Sequence, residues 1–528
     1  MVKNEFGFEA YSEFMECDGV KLYTVVVKPN KDGKFPVILM RSPYVDECEN
    51  MPEDELLNRH LEGKRNFLEA GFAVVDQHCR GRGKSEGVFV PFVDERKDGL
   101  ALQSWVREQE FYKGEIYLYG GSYTSAVHLA TAPFADDIKG AVLEVMTTEL
   151  YCAAFRNEIY KVGLFGIWFE GNYKNKQIRN KNINIDNFLT LPFENYPEKV
   201  FHEKSESVMD IIRSYKENSP FWSSSSPHGA YSGLLNNNRA KILFTTGWYD
   251  IFVGGMLKMY ENMDNEAKNS VALTICPYDH SMQVSSHPMP LKDGMLREYL
   301  GTDYVLAWLN AVKDNKKLPL ETGKITYYET FNEKWTVGDL NESGQQLKLN
   351  FGNGTEKYLY DPLNPVRDFK GGLSHNFGST AYQETLPERN DVITVYSEEF
   401  NEDVLIKGKI KLKLAVKSSC EDTAFYIRLY VKKKEGDYAF RDDIMPISYQ
   451  NENYIPGETE YLNFNLEPIS ILIKKGEKIR LDISSSAFPL FLPHTNQKGD
   501  YYKIKEAKIA VNEVVFSETE LILPISKK

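Results

Sequence analysis

The feature that most constrains the fold is a regular alternation of short apolar runs and helical patterns between residue 20 and about residue 147. The apolar runs, all of strand length, are KLYTVVVKP, FPVILMRSPY, GFAVVDQHCRG, EIYLYGG and KGAVLEVM. DERKDGLALQSWVREQ and SYTSAVHLATAP instead space their apolar residues as amphipathic helices do. Strands that alternate with helices form a largely parallel sheet covered by crossover helices. This part of the chain therefore predicts an α/β domain.

The character of the sequence changes further along the chain. A stretch that is aromatic, rich in Asn and helical in period indicates a helical insertion, and strand patterns return at AKILFTTGW and SVALTICP. LREYLGTDYVLAWLNAVKD then predicts a helix. Later runs such as KITYYETF, IKLKLAVKS, AFYIRLYVKK and KIRLDISSS alternate in the manner of a β sandwich or jelly roll. We expect an α/β domain over residues 1–147 and 238–318, a helical cap over 148–237 and an all-β jelly-roll domain over 319–528.

Charge and composition argue against several classes of function. The net charge of -13 and the lack of a basic run longer than Lys432–Lys434 argue against nucleic acid as a partner. No apolar run is long enough to span a membrane, and the N-terminus has no signal-peptide core. The six cysteines contain no CxxC pair, which fits neither a zinc site nor a disulfide framework. We therefore expect a cytoplasmic protein, and the sequence leaves its oligomeric state open, including a homodimer.

The segment YLYGGSYTSAVHLATA contains a strand that ends at Gly-Gly-Ser and turns at once into a helix. This context is typical of a nucleophile elbow, in which a serine lies in a strained turn above the sheet. Gly120 and Thr124 occupy the two positions around Ser122 that require small residues. The alternative is a helix N-cap, because a serine there accepts hydrogen bonds from free backbone N–H groups. The motif alone does not decide between the two interpretations.

A nucleophilic serine needs a base and an acid, which follow it in the order Ser, acid, His in this type of fold. Asp250 comes directly after AKILFTTGWY, and His280 comes directly after SVALTICPYD. Catalytic groups in α/β sheets converge at the carboxyl ends of the strands. We expect His280 to take the proton of Ser122 and Asp250 to fix the tautomer of His280.

Other residues could fill the same roles. Asp279 is an alternative acid, but it adjoins His280 in sequence, which makes a productive contact harder than one from a neighbouring strand. His78 and His128 are alternative bases, and His128 lies on the helix that follows the elbow. An ordinary loop hydrogen bond is the structural alternative for each histidine.

Five segments together resemble the CocE/NonD hydrolases, relatives of cocaine esterase, α-amino acid ester hydrolases and X-prolyl dipeptidyl-peptidases. These segments are QHCRGRGKSEGVFVPFVDERKDGLALQSW, GGSYTS, GWYDIFVGG, PYDHS and KKGEKIRLDISSSAFPLF, and their order spans nearly the whole chain. The resemblance implies an α/β-hydrolase domain that is interrupted by a helical cap and followed by a jelly roll. It also implies that Ser122 is the nucleophile, Asp250 the acid and His280 the base.

The family's R-x-P-Y tyrosine corresponds to Tyr44 of RSPY. The resemblance implies that its phenol and the backbone N–H of Tyr123 form the oxyanion hole, whose donors contribute roughly 3 kcal/mol each. A plain turn tyrosine after Pro43 is the alternative. Ser125, His78, Cys276 and Tyr278 depart from the family pattern, and these departures leave the substrate open.

The resemblance and the residues together predict a serine hydrolase that cleaves acyl ester or amide bonds. Ser122 attacks the acyl carbon, an acyl-enzyme forms, and water activated by His280 releases it. We expect small acyl esters as substrates, and an X-Pro dipeptidyl-peptidase that releases N-terminal dipeptides is the alternative. A second alternative is a non-catalytic protein that binds carbohydrate or peptide. The mechanism requires no metal and no organic cofactor.

A dipeptidyl-peptidase must hold a free α-amino group with a carboxylate, which would come from the cap. Glu149, Glu158 and Glu170 lie in the cap, but charged residues at helical spacing usually form a solvated face, so none is assigned. The aromatic residues of the cap either line an acyl pocket or form its core, and the core interpretation is favoured. They are Phe155, Phe165, Trp168 and Phe169.

The segment RGRGKSEG contains GKS, which is part of the phosphate-binding P-loop motif. A P-loop requires a glycine five positions before Gly83, where this chain has His78. We therefore expect a structural turn in which Arg80 packs against acidic residues.

Overall fold

The structure is a computed structural model that describes residues 1–172, 184–223, 235, 236, 238–280, 301–340, 344–367 and 388–526. Its strands are β1 (Val2–Lys3), β2 (Phe8–Cys17), β3 (Val20–Pro29), β4 (Phe35–Ser42), β5 (Ala73–His78), β6 (Tyr112–Gly121), β7 (Ile138–Glu144), β8 (Phe155–Arg156), β9 (Ile159–Tyr160), β10 (Lys241–Tyr249), β11 (Val271–Asp279), β12 (Ile325–Glu329), β13 (Lys334–Gly338), β14 (Gln345–Leu349), β15 (Thr355–Tyr360), β16 (Ile393–Tyr396), β17 (Val404–Gly408), β18 (Lys411–Ser418), β19 (Ala424–Lys432), β20 (Asp437–Pro446), β21 (Glu460–Asn465), β22 (Ile469–Ile473), β23 (Lys478–Ser484), β24 (Ala510–Val515) and β25 (Glu520–Ser526). Its α-helices are α1 (Glu53–Gly63), α2 (Arg65–Glu69), α3 (Glu95–Arg107), α4 (Tyr123–Leu129), α5 (Tyr151–Ala154), α6 (Ile167–Gly171), α7 (Tyr196–Phe201), α8 (Glu206–Arg213), α9 (Val253–Asn262), α10 (Asn265–Lys268), α11 (Thr302–Lys313) and α12 (Ile447–Gln450).

The first sheet has the strand order β1-β2-β3-β5-β4-β6-β7-β10-β11-β12-β13. The strands from β5 to β12 pair in parallel, and antiparallel pairs lie at both edges. Central strands such as β5 are buried along their whole length, as is usual for parallel strands with helices on both faces. The predicted α/β architecture is confirmed, and the strands β6, β7, β10 and β11 are consecutive neighbours at its centre.

The segment KITYYETF pairs with the first sheet, whereas we expected it to pair with the later strands. It forms β12, which pairs in parallel with β11, and β13 then closes the edge of the first sheet. The apolar and polar residues of KITYYETF alternate as they do in the later strands, so the pattern could not show which sheet this strand joins. The division at residues 318 and 319 stays a prediction, although the first sheet continues to Gly338.

The cap contains short helices and one two-stranded hairpin of β8 and β9, which the prediction of a purely helical insertion missed. Each strand of this hairpin has only two residues, which is too short for a periodic pattern to reveal. Parts of the predicted cap, residues 173–183 and 224–234, lie outside the described residues. The start of the predicted helix LREYLGTDYVLAWLNAVKD also lies outside them, and its described part is α11.

The strands from β14 to β25, hereafter the β domain, form two sheets. One has the order β15-β24-β18-β25-β17-β22 with β14 and β21 beside it, and the other has the order β16-β23-β19-β20. Buried apolar residues of both sheets belong to one cluster, and this confirms the all-β domain that the sequence predicted. Among the residues that the structure describes, no helix has the length and apolar character needed to cross a bilayer.

Candidate active site

Ser122 lies in the turn between the end of β6 and the start of α4. Its backbone has φ 54° and ψ -130°, a conformation that is strained for a residue other than glycine. The N–H of Ser122 donates a hydrogen bond to the carbonyl of Glu144 on β7 at 2.9 Å, which fixes the turn against the sheet. A Cβ on Gly120 would lie 2.1 Å from the carbonyl oxygen of Thr124, so only glycine allows the strand and helix to approach so closely. The local geometry is that of a nucleophile elbow.

The hydroxyl of Ser122 does not cap the helix. Ser122 occupies the N-cap position of α4, but its side chain accepts no hydrogen bond from the first turn. Its Oγ lies 3.0 Å from Nε2 of His280 instead. The contact with His280 therefore favours the nucleophile interpretation over the N-cap interpretation.

Asp250 and His280 lie where two neighbouring parallel strands end. Asp250 directly follows β10 and His280 directly follows β11, and Nδ1 of His280 lies 2.8 Å from Oδ1 of Asp250. The second carboxylate oxygen of Asp250 accepts a hydrogen bond from the hydroxyl of Thr246 at 2.6 Å. The ring of Phe252 packs edge-on against the imidazole, with 5.4 Å between ring centroids.

This set of contacts defines the direction of the hydrogen bonds. A carboxylate can only accept, so Nδ1 of His280 carries the hydrogen and Nε2 is left to accept the hydroxyl hydrogen of Ser122. Thr246 and burial hold Asp250 in place, since the side chain of Asp250 is fully buried. The three residues that the sequence predicted are thus brought together in one hydrogen-bonded chain.

Tyr44 lies beside this chain and contacts the cap. The indole N–H of Trp168 donates to the phenol oxygen of Tyr44 at 3.2 Å, and the indole ring stacks on Tyr123 at 5.5 Å. Burial of the hydroxyl raises the pKa of Tyr44 above its usual 10.0, and hydrogen bonds with Trp168 and Ser122 only partly offset this. The residue as a whole is 45% exposed, so Tyr44 forms part of the open wall of the site.

Hydrogen bonds of its phenol hold Tyr123 in place beside Ser122. Its phenol donates to Glu95 at 2.9 Å and accepts the N–H of Phe92 at 2.8 Å, and Glu95 forms an ion pair with Arg41 at 2.8 Å. Its backbone N–H is the first of α4 and so is not needed by the hydrogen bonds of the helix. This N–H is therefore free of any intrahelical role next to Ser122.

The alternative bases, His128 and His78, have other contacts. His128 is buried and bonds the carbonyl of Tyr119 at 3.2 Å, and burial lowers its pKa to about 3. His78 is also buried, accepts the N–H of Lys84 at 3.2 Å, and has its pKa lowered to about 4 mainly by burial. Neither histidine contacts Ser122 among the described contacts, whereas His280 does.

Ser125, which departs from the family pattern, has a structural role. It is fully buried, its hydroxyl donates to the carbonyl of Gly120 at 2.5 Å, and it accepts the N–H of Glu144 at 2.9 Å. The side chain therefore joins β6, β7 and α4 directly beneath the elbow. Cys276 and Tyr278 are buried within β11.

The RGRG segment forms the structural turn that we expected. Arg80 bonds Asp98 through two nitrogens, at 2.5 and 3.0 Å, and lies 3.9 Å from Asp94. Its partners belong to α3 or directly precede it, so the turn is tied to the first domain. In the described part of the chain, no three His, Cys, Asp or Glu side chains are grouped to hold a metal ion.

The sequence did not reveal the roles of Trp168, Thr246 and Phe252. Trp168 was grouped with the cap aromatics, of which Phe155, Phe165 and Phe169 are indeed buried in the core. Trp168 differs because it is only partly buried and bonds Tyr44. Thr246 lies on a buried strand, four residues before Asp250. A polar residue at a buried strand position was the sequence signal that could have indicated its role.

Comparisons with known proteins agree with this architecture. A model of the X-Pro dipeptidyl-peptidase (S15 family) matches residues 18–282, and a model of the X-Pro dipeptidyl-peptidase C-terminal non-catalytic domain matches residues 316–520. Cocaine esterase from Rhodococcus sp. (strain MB1 Bresler) is 25% identical over 573 aligned residues, covering 97% of each chain.

Solved structures share the fold over nearly the whole length. An aminopeptidase from a marine sediment archaeon, Thaumarchaeota archaeon, has a TM-score of 0.82 at 16% identity, with 98% of this chain and 96% of that chain covered. An α-amino acid ester hydrolase has a TM-score of 0.79 at 17% identity, with 100% and 98% covered. A CocE/NonD family hydrolase from Staphylococcus aureus has a TM-score of 0.65 at 14% identity, with 98% and 93% covered.

These matches confirm the resemblance to the CocE/NonD hydrolases. The S15 model covers half of the chain and includes every predicted site residue, from Tyr44 to His280. The chain therefore belongs to the X-Pro dipeptidyl-peptidase S15 family and is a serine hydrolase of the α/β-hydrolase type.

Proposed function

We propose that Ser122, His280 and Asp250 are the catalytic triad of this hydrolase and that it cleaves small acyl esters. The observation that carries the proposal is the chain of hydrogen bonds from Ser122 Oγ to His280 and on to Asp250, at 3.0 and 2.8 Å. Nε2 of His280 takes the hydroxyl proton as Ser122 attacks the acyl carbon, and Asp250 stabilises the imidazolium that forms. His280 then protonates the leaving alcohol and activates the water that releases the acyl group.

The oxyanion hole consists of the phenol of Tyr44 and the backbone N–H of Tyr123. The phenol oxygen accepts from Trp168, which leaves its O–H to donate towards the substrate. The raised pKa of Tyr44 supports this role, because the phenol stays protonated, and so remains a donor, at neutral and mildly alkaline pH. Donors placed in advance where the negative charge develops stabilise the tetrahedral intermediate.

The surroundings of Ser122 favour an ester over a dipeptide as substrate. The described side chains packed around the triad and Tyr44 include Trp168 and Phe252, which offer aromatic surface to an acyl group. Of the cap carboxylates, Glu149 pairs with Lys258 at 3.5 Å and Glu158 lines a separate cavity. The side chain of Glu170 lies outside the described residues. The X-Pro dipeptidyl-peptidase alternative is kept because the family model has that activity in its description.

A fluorophosphonate probe tests the nucleophile. We expect wild type to be labelled at Ser122 and Ser122→Ala to remain unlabelled while folded.

His280→Gln should lower kcat for p-nitrophenyl acetate by about 10⁴-fold or more, whereas His128→Gln, a matched control, should change kcat by less than about threefold. Asp250→Asn and Asp279→Asn form a second matched pair, of which only the first should lower kcat strongly. Equal losses in the two aspartate variants would overturn the assignment of Asp250.

Substrate class is tested separately. We expect kcat/KM for p-nitrophenyl esters of short acids to exceed that for Gly-Pro-p-nitroanilide by about 100-fold or more. A preference for the dipeptide substrate would instead support the dipeptidyl-peptidase alternative. A cytoplasmic location is part of the same proposal and is supported by the six free cysteines.

A further inference from the structure

A second cavity, of about 310 Å³, lies between the cap and the β domain. The cap contributes the hairpin of β8 and β9, the segment 188–193 and Tyr215, and the β domain contributes Asp422, Ser448 and the segment 492–501. None of the described residues that line it belongs to the proposed triad or to the oxyanion hole. We call it the interdomain cavity.

The interdomain cavity has aromatic walls with fixed positions. Tyr501 packs edge-on against Tyr215 at 5.4 Å and lies 6.1 Å from Phe193. The phenol of Tyr501 also donates to the backbone carbonyl of Ile212 at 2.8 Å, which holds its ring in place. Leu363 at the rim is 59% exposed, so the cavity is accessible from solvent.

One wall presents a carboxylate that the protein does not neutralise by contact. Glu158 lies in the turn of the hairpin with φ 68°, and its carboxylate makes no hydrogen bond or ion pair within 4.0 Å with any described residue. Burial raises the pKa of Glu158, Lys216 lowers it, and the carboxylates of Glu452 and Asp422 raise it again. Lys216 and Lys498 also line the cavity, and Lys216 pairs with Glu452 at 3.4 Å.

The position of Glu158 is fixed by the two residues that precede it in the hairpin, Arg156 and Asn157. Arg156 bonds Asp443 at 2.8 Å and Glu467 at 2.7 Å, and Asn157 donates to Asp443 at 3.0 Å and to the carbonyl of Ile444 at 2.8 Å. These bonds attach the hairpin to the β domain. They keep the carboxylate of Glu158 at the cavity despite the repulsion from its acidic neighbours.

A second carboxylate, that of Asp422, also lines the cavity. Asp422 accepts the N–H groups of Thr423 at 2.9 Å and Ser448 at 3.0 Å, and its other oxygen lies 3.3 Å from Nε2 of His494. Nδ1 of His494 accepts the N–H of Asn496 at 3.1 Å, so Nε2 is the nitrogen that faces Asp422. Asp422 therefore adds a second carboxylate to the lining of the cavity.

The cavity also holds an unsatisfied polar group. Thr495 lines it and is only 6% exposed, and its hydroxyl has no hydrogen-bond partner among the described residues. A buried hydroxyl without a partner is destabilising, and a bound donor can offset this effect. Two carboxylates, a free hydroxyl and aromatic walls are all groups that bind an ammonium ion and its apolar body.

We propose that the interdomain cavity is a binding site for a small organic ammonium ion with a ring-sized apolar body. The ammonium group lies between Glu158 and Asp422, and the body packs against Tyr215, Phe193 and Tyr501. The aromatic faces add cation–π attraction, and the ligand relieves the repulsion between the two carboxylates. This inference does not depend on the proposed reaction of Ser122.

The test uses 2-phenylethylammonium as the probe and the full chain with Ser122→Ala, so that turnover plays no part. Isothermal titration should give a dissociation constant of about 1 mM or tighter. Glu158→Gln should weaken binding by about tenfold or more, because it removes the charge and keeps the shape. Glu194→Gln, an exposed cap carboxylate outside the cavity, is the matched control and should leave binding unchanged.

Neutral 2-phenylethanol distinguishes charge recognition from apolar binding. It should bind about tenfold more weakly than the ammonium probe, and Glu158→Gln should not affect it. Thr495→Val, which replaces the unpartnered hydroxyl at constant volume, should fold normally and weaken ammonium binding by about threefold. Equal affinities of the amine and the alcohol would overturn the proposal, as would unchanged amine binding in Glu158→Gln.

Discussion

At the scale of single residues, Trp168 acts on the proposed oxyanion donor from the cap. Its indole N–H bonds the oxygen of Tyr44, and this contact fixes the direction in which the phenol can donate. Tyr44→Phe should lower kcat by about 10²–10³-fold with little change in stability, as other oxyanion donors do. The outcome is measured by steady-state hydrolysis of p-nitrophenyl acetate, together with the melting temperature.

The variant Trp168→Phe distinguishes two roles of the indole, which either orients the phenol of Tyr44 or contacts the substrate. Phenylalanine keeps a ring on Tyr123 but has no N–H donor, so we expect kcat to fall by about threefold to tenfold at nearly constant KM. A kcat that stays at the wild-type level while KM rises would mean that the indole binds the acyl group and does not orient the phenol.

His128 makes the stability of the fold sensitive to acid. Burial lowers its pKa in the folded protein to about 3, below the unfolded value of about 6.5, so the unfolded chain binds the extra proton between these values. Its contribution is complete above pH 6.5 and declines as the pH falls towards 3. Between pH 6.5 and 5 the wild type should lose about 1.6 kcal/mol more than His128→Gln. Urea unfolding at both pH values measures this difference, and parallel pH dependences in the two proteins would refute it.

At the scale of secondary-structure elements, Ser125 connects the strands β6 and β7 with the helix α4. Its hydroxyl bonds the carbonyl of Gly120 and the N–H of Glu144, so it replaces the small glycine of the family pattern by a hydrogen-bonded link between β6 and β7. Ser125→Ala should cost about 1–3 kcal/mol by leaving the buried N–H of Glu144 without its partner. Ser125→Gly should cost about 1 kcal/mol more, because glycine also weakens the helix.

Unfolding by urea checks both variants of Ser125. Ser223→Ala, at a partly exposed position of the cap where the hydroxyl bonds only the nearby carbonyl of Pro220 among the described contacts, is the control and should change stability by less than about 0.5 kcal/mol. If Ser125→Gly proved as stable as wild type, the hydrogen bonds of Ser125 would contribute nothing to joining the strands.

The same elements show what the sequence could and could not predict. Ser122, Asp250 and His280 were found because each follows a strand, and strand ends at one edge of a parallel sheet meet in space. The role of Trp168 was not found, because helical period does not tell which face of a short cap helix meets another domain. The placement of β12 was wrong for a similar reason: period-two alternation marks a strand but not its neighbours.

At the scale of the whole molecule, the three parts share one apolar core and are linked by buried polar contacts. Thr330, just after β12, exchanges backbone hydrogen bonds of 2.9 Å with Ser470 and Leu472 of β22, so the two domains are joined between their sheets. Arg441 donates to the carbonyl of Trp248 at 3.0 Å and also bonds Pro468. Since Trp248 precedes Asp250 by two residues, the β domain supports the strand that carries the proposed acid.

These links predict that the molecule unfolds as one unit. Differential scanning calorimetry should give a single transition in which the calorimetric and van't Hoff enthalpies agree. Arg156→Gln removes the cation between Asp443 and Glu467, at the junction of cap and β domain, and should cost about 3 kcal/mol because Asp443 is left buried without its charged partner. Arg213→Gln, which breaks an exposed ion pair with Glu206 on the same cap, should cost less than about 1 kcal/mol. Two separate transitions in the wild type would show that the cap or the β domain unfolds alone, and the shared core would then not couple the domains.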